Sequence, residues 1–192
     1  LNLVASYYYL GESRRLQNDT DGALNWYLKA EKICVDQGFI SHLPLILCGK
    51  GIALYDADRM DQAAENLERA VDFYDHLDFK WGQVPAYAYW ALISYREGNY
   101  KRCLDYLKKA DDQVILIERV YETGLMLRVK AELCSLTRHS KPSKILSNYL
   151  NFDDNSYCKA AIRYFTDNDS FTYEKKVLQD IHGICGECSH FN

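Results

Sequence analysis

REGNYKRCLDYLKKAD, residues 96–111, decides the fold, because the chain has already written the same idea twice. Residues 57–72 read ADRMDQAAENLERAVD, and residues 17–32 read QNDTDGALNWYLKAEK. Ala23, Ala63, Cys103 and Ser143 stand 40 residues apart, and all are small. Four residues on come Tyr27, Leu67, Leu107 and Ser147, then after three more Ala30, Ala70, Ala110 and Leu150. Spacings of four and seven put these side chains on one stripe of an α-helix. The order small, large, small lets a neighbouring helix approach at both ends and hold a knob between them.

Twelve residues before each first small residue lies another: Gly11, Gly51, Ala91 and Ala131. These fall in a second apolar stretch, such as LPLILCGKGIALY or VPAYAYWALISY, with turn-rich residues (QNDTDG, DADRMD, REGNY, TRHSKPS) between the two. Each unit is therefore helix, tight turn, helix. The first helix is apolar on nearly every side, as a helix buried between neighbours must be. The second is amphipathic and is expected to turn Lys29, Glu31, Glu65, Glu68, Lys108 and Lys109 to water. A fixed period of this length means stacked units, each covering the hydrophobic face its neighbour exposes.

YYYLGESR followed by ALNWYLKA resembles the tetratricopeptide repeat, through Tyr7, Leu10 and Gly11, then Ala23, Tyr27 and Ala30. The third copy resembles it through Tyr87, Trp90 and Ala91, then Gly98, Tyr100, Leu107 and Ala110. The period is 40 rather than the family's usual 34, and the proline that commonly closes the unit is missing. The extra residues fall between one unit's second helix and the next unit's first, as in VDQGFISHL and YDHLDFKWG. Longer units of this kind resemble those of bacterial regulatory proteins. The fold implied is all-α: a right-handed superhelix, or α-α solenoid, of helical hairpins. Residues 1–150 are read as four hairpins, 151–184 as a C-terminal capping helix pair and 185–192 as a tail.

Composition excludes several classes. A net charge of -4 argues against a nucleic-acid surface, which needs clustered Lys and Arg. No apolar run reaches the roughly 18 residues that span a bilayer. Five of the seven cysteines (Cys34, Cys48, Cys103, Cys134, Cys158) stand singly in apolar helical patterns, which suits buried, reduced thiols in the cytoplasm. There is neither a GxxxxGK[ST] phosphate loop nor an HExxH, and the five histidines are dispersed, so no enzyme activity and no cofactor are expected. HGICGECSH brings His182, Cys185, Cys188 and His190 together. Those residue types can bind zinc, but structural sites usually join two separated pairs, so the tail is read without a metal.

The resemblance implies that the first helices line a groove for a peptide or protein segment. Carrying the family register over, that face takes Tyr8, Glu12 and Arg15 from the first unit. It takes Leu45, Cys48, Ile52 and Tyr55 from the second, and Trp81, Ala88, Leu92, Tyr95 and Arg96 from the third. The fourth supplies Tyr121, Leu125, Arg128 and Glu132. Aromatic and aliphatic residues with a few charges suit an extended or helical segment, and Arg15 and Arg128 are expected to meet a peptide carboxylate. The expected function is a non-enzymatic protein- or peptide-binding module, the sensor or interaction arm of a bacterial transcriptional regulator. The start at Leu1 fits an arm separated from an upstream output domain. The rival reading is a scaffolding or homodimerisation arm without a peptide ligand.

Overall fold

The structure is a computed structural model, and it describes residues 2–76, 82–117, 120–138, 144–150 and the single positions 157, 160, 161 and 163. Among the described residues eight α-helices follow in order: α1 (Asn2–Leu16), α2 (Thr20–Gln37), α3 (Leu43–Asp56), α4 (Met60–His76), α5 (Gln83–Arg96), α6 (Tyr100–Ile117), α7 (Val120–Arg138) and α8 (Lys144–Leu150). A one-turn 3-10 helix, Ile40–His42, leads into α3, and no strand occurs among the described residues. The chain divides into two compact units, residues 1–90 and 91–192. Apart from those four positions, the reading of residues 151–184 as a capping pair lies outside the described residues, as do the tail with Cys185 and Cys188 and Cys158.

The second helices begin at Thr20, Met60 and Tyr100, and the first helices before them end at Leu16, Asp56 and Arg96, a spacing of 40 in each case. One backbone device makes the three turns alike. Asn18, Asp58 and Gly98 all adopt the left-handed conformation, with φ of 59°, 57° and 76°. Each donates its N–H three residues back, to Arg15, Tyr55 and Tyr95, and the next residue donates five back, to Arg14, Leu54 and Ser94. This paired closure satisfies carbonyls that a helix end leaves bare, and Asn, Asp and Gly are the residues that tolerate its left-handed position. Asp19 and Asn99 then cap the following helices, their side chains accepting from Gly22 N–H at 2.9 Å and Arg102 N–H at 3.1 Å. In the fourth copy the corresponding residue is Arg138, which is still helical. Without a left-handed-tolerant residue there, α7 runs past the point where α1, α3 and α5 stop.

Within the first unit the small residues do what their spacing implied. A Cβ on Gly11 would lie 2.5 Å from the Tyr27 ring, and one on Gly51 would lie 2.5 Å from Leu67 Cγ. Gly49, which the repeat spacing did not single out, faces the same Tyr27 ring from α3, where an added Cβ would lie 2.9 Å from it. Tyr27 is thus a fully buried wedge, touched by glycine backbone from both α1 and α3. In the second unit, Ala91, Ala131 and Leu107 are likewise buried.

One expectation about a polar residue fails. Glu31 does not face water: it accepts from Lys50 Nζ at 2.6 Å and stands 3.6 Å from Arg69, linking α2 to α3 and α4. Glu12 and Arg15 are tied into the core, as set out next.

Candidate protein-binding site

The first helices after α1 are so heavily buried that most of the expected groove face is core. In the first unit Glu12 accepts the Tyr27 hydroxyl, and Arg15 donates to it at 2.9 and 3.3 Å. Arg15, only 4% exposed, also stands 3.5 Å from Asp56 of α3. Burial first, and the Glu12 carboxylate next, push the Tyr27 phenol well above its ordinary range, so it stays protonated and donating. The Cys48 thiol beside this network is pushed up for the same reasons. Ile52 and Tyr55 are buried, and Tyr55 meets Tyr89 edge-on with ring centres 5.3 Å apart.

In the second unit Leu92 and Tyr95 are buried, Tyr95 against Tyr100 at 5.4 Å. Arg128, 3% exposed, stands 3.6 Å from Glu132, which also lies 3.8 Å from the partly exposed Arg96. Leu125 is buried, and Tyr121 is half-buried. Ala88, in the first unit, is buried too, and Trp81 lies outside the described residues.

Arg15 and Arg128, expected to meet a peptide carboxylate, are each buried beside a carboxylate of the protein itself. A buried guanidinium is tolerable only when a carboxylate accompanies it, and each arginine has its partner within a turn or on the next helix. The signal was present: Glu12 to Arg15 and Arg128 to Glu132 are the three- and four-residue spacings at which helical side chains meet.

Among the described residues of the first unit, a pocket of about 290 Å³ opens between α1 and α3. Val4, Ala5, Tyr8 and Tyr9 form one wall, Leu45 and Ile46 the other, and Ser41 and His42 of the 3-10 turn close it. Tyr8 and Leu45 are the expected groove residues that reach it. None of the lining side chains is a carboxylate, ammonium or guanidinium. Ser41 Oγ lies 3.2 Å from His42 Nδ1, and the Tyr8 ring packs on Tyr9 and Tyr27. Pro44 marks the missed signal. It sits in the first turn of α3, a favoured place for proline, and so fixes Ser41 and His42 at the mouth of the interhelical groove.

A second cavity of about 420 Å³, lined by Ile40, Arg69, Asp72, Phe73 and His76, lies at the C-terminal part of α4. Its arginine is shared with Glu31, and His76 Nδ1 is 2.6 Å from the Asp72 carbonyl. Among the described residues no cluster could hold a metal ion, and no helix is long and apolar enough to cross a membrane.

Repeated helical hairpins with small-for-large contacts between their helices define the tetratricopeptide-like class of helical-repeat folds. No family model and no curated protein matches the chain. A crystal structure from Podosopora anserina, of nearly identical TPR-like repeats assigned to a kinesin light chain, is similar to it with a TM-score of 0.51. The match has 10% sequence identity and covers 98% of this chain and 97% of that one, a likeness of fold.

Proposed function

We propose that the protein is a non-catalytic protein-interaction module, and that the pocket between α1 and α3 anchors an apolar side chain of a partner segment. The observation that carries this reading is the neutrality of that pocket, set beside neighbouring charges that are already paired. Ligand pockets for whole small molecules run from about 300 to 1,000 Å³. A cavity at the lower edge of that range suits one or two large side chains of a peptide, not a complete cofactor. Half-buried Tyr8 and exposed Tyr9 beside aliphatic residues supply contact area at low entropic cost, and their hydroxyls can meet a peptide backbone. The expected ligand is therefore an aliphatic or aromatic segment rather than an acidic terminus.

The finer reading, the sensor arm of a bacterial transcriptional regulator, rests on the 40-residue period. It requires a helix-turn-helix encoded in the same gene. Homodimerisation would bury the same pocket between two copies and would appear as a concentration-dependent sedimentation coefficient.

Selection of peptides from a displayed library tests the site. Peptides selected on the natural chain should be rich in Leu, Phe or Trp, and should bind an Ala5→Trp variant about tenfold more weakly or worse. Peptides that bind both forms equally, with unchanged circular dichroism, would place the site elsewhere.

A further inference from the structure

The outer face of α4 carries a line of carboxylates: Asp61, Glu65, Glu68, Asp72 and Asp75, at spacings of four and three and all exposed. On a helix these spacings form one stripe, about 21 Å long at 1.5 Å per residue. Asp75 accepts the Tyr87 hydroxyl at 2.7 Å. Among the described residues the side chains of the other four make no hydrogen bond and no ion pair. The cations beside the line are engaged elsewhere. Arg59 donates to Gln62 at 2.7 Å and stands 3.5 Å from Asp21, and Arg69 stands 3.6 Å from Glu31.

Like charges three and four residues apart destabilise a helix, so stability of the hairpin gives no reason for the stripe. The corresponding faces of the other second helices confirm that the repeat does not need it. In α6 that register reads Lys101, Asp105, Lys108 and Asp112, alternating in sign. In α2 it reads Asp21, Asn25, Leu28 and Lys32. Either pattern keeps a helix face wet, whereas the α4 pattern adds a line of one sign.

The stripe runs into an apolar cleft. Ile40 and half-buried Phe73 line the cavity of about 420 Å³ at the C-terminal part of α4, together with Asp72 of the stripe and His76. Ile40 is 56% exposed, so the cleft is open to a side chain arriving from outside. The carbonyls of the last turn add the negative end of the helix dipole. A segment that fits both features carries one apolar side chain and, at helical spacing from it, a row of cations. Phosphate-bearing partners, nucleic acids and anionic membranes alike, are repelled by the same line.

We propose that the outer face of α4 docks a basic amphipathic helix of a partner protein, its cations along the stripe and its apolar end side chain in the cleft between Ile40 and Phe73. This face shares no residue with the pocket between α1 and α3, and the two sites are tested by different variants.

The probe is an alanine-based helical peptide of roughly 18 residues, with lysines at four positions spaced four and three apart and a phenylalanine one turn beyond the last. It is labelled with a fluorophore and titrated into the full chain by fluorescence anisotropy at low salt. A dissociation constant in the micromolar range is expected. Affinity should fall about tenfold or more with glutamine in place of the lysines, or with Glu65→Gln, Glu68→Gln and Asp72→Asn combined in the protein. That triple variant also loses like-charge repulsion, so it should resist urea at least as well as the natural chain, which separates lost binding from lost folding. Alanine in place of the peptide's phenylalanine should weaken binding about tenfold. Asp105→Asn with Asp112→Asn, on the corresponding face of α6, should leave binding unchanged. Absence of micromolar binding, a glutamine or alanine peptide that binds as tightly as the probe, or a triple variant of unchanged affinity would overturn the proposal. So would an equal loss in the α6 double variant, since net charge alone would then account for the binding.

Discussion

Substituting Gly11 by alanine sets two effects of comparable size against each other, and the structure decides the sign. In an exposed helix the change stabilises by about 0.8–1 kcal/mol, because glycine wastes backbone entropy. Here the new methyl would lie 2.5, 2.6 and 2.9 Å from three atoms of the Tyr27 ring, about an ångström inside ordinary contact. The ring cannot retreat freely, since Gly49 already closes on it from α3 and its hydroxyl is held by Glu12. Overpacking of this kind costs about 1–3 kcal/mol, and the clamped ring puts the cost at the upper end. The net expectation is a loss of about 1–2 kcal/mol. Urea unfolding followed by circular dichroism measures it, and a Tyr27→Leu background supplies the control. There the wedge is gone, and Gly11→Ala should become neutral or stabilising, a coupling of about 1–3 kcal/mol. Gly11→Ala no less stable than the natural chain, or equally costly in both backgrounds, would refute the reasoning.

The left-handed turn residues give a second test: Asp58→Gly should be neutral or stabilise slightly, while Asp58→Val should cost about 1–2 kcal/mol in the same urea assay. Arg15→Ala should lower stability by about 3–5 kcal/mol, because it strands Glu12 and Asp56, whereas Arg15 as a groove residue would leave the midpoint unmoved. Burial pushes the Cys103 thiol up from 9.0 to about 12. Its folded form therefore favours the neutral thiol, and the stability it contributes is full below pH 9 and lost as the pH climbs toward 12. Urea midpoints measured upward from pH 8 should fall less steeply for Cys103→Ala, and parallel slopes would exclude this thiol as the cause.

The array was legible because its signal is a period: Gly11 and Gly51 sit against Tyr27 and Leu67, as small-for-large spacing requires. The turns were equally open to view, since Asn18, Asp58 and Gly98 are three left-handed-tolerant residues at one register. The groove was not legible, and α3 shows why. From Ile46 to Tyr55 every residue of that helix is buried, so hydrophobic periodicity carries no mark of an outward face. A register taken from shorter repeats then selects core residues such as Ile52 and Tyr55. Gly49 escaped for a related reason: it answers to Tyr27 of the preceding hairpin, a contact outside the unit from which the spacing was counted.

The identical closures at residues 18, 58 and 98 also say where such a chain can be cut and rejoined. A block running from 59 to 98 begins just after one left-handed residue and ends on the next, so its removal brings Asp58 to Asn99 and leaves a turn of the same chemistry. Asp75 and Tyr87, hydrogen-bonded between α4 and α5, travel together inside the block. Gly51, losing Leu67, would receive Leu107 in the same register. The block that can be removed between like turns is thus a second helix with the first helix that follows it, offset by half from the hairpin. Gain or loss of such blocks changes the length of the array without requiring any new turn to be invented.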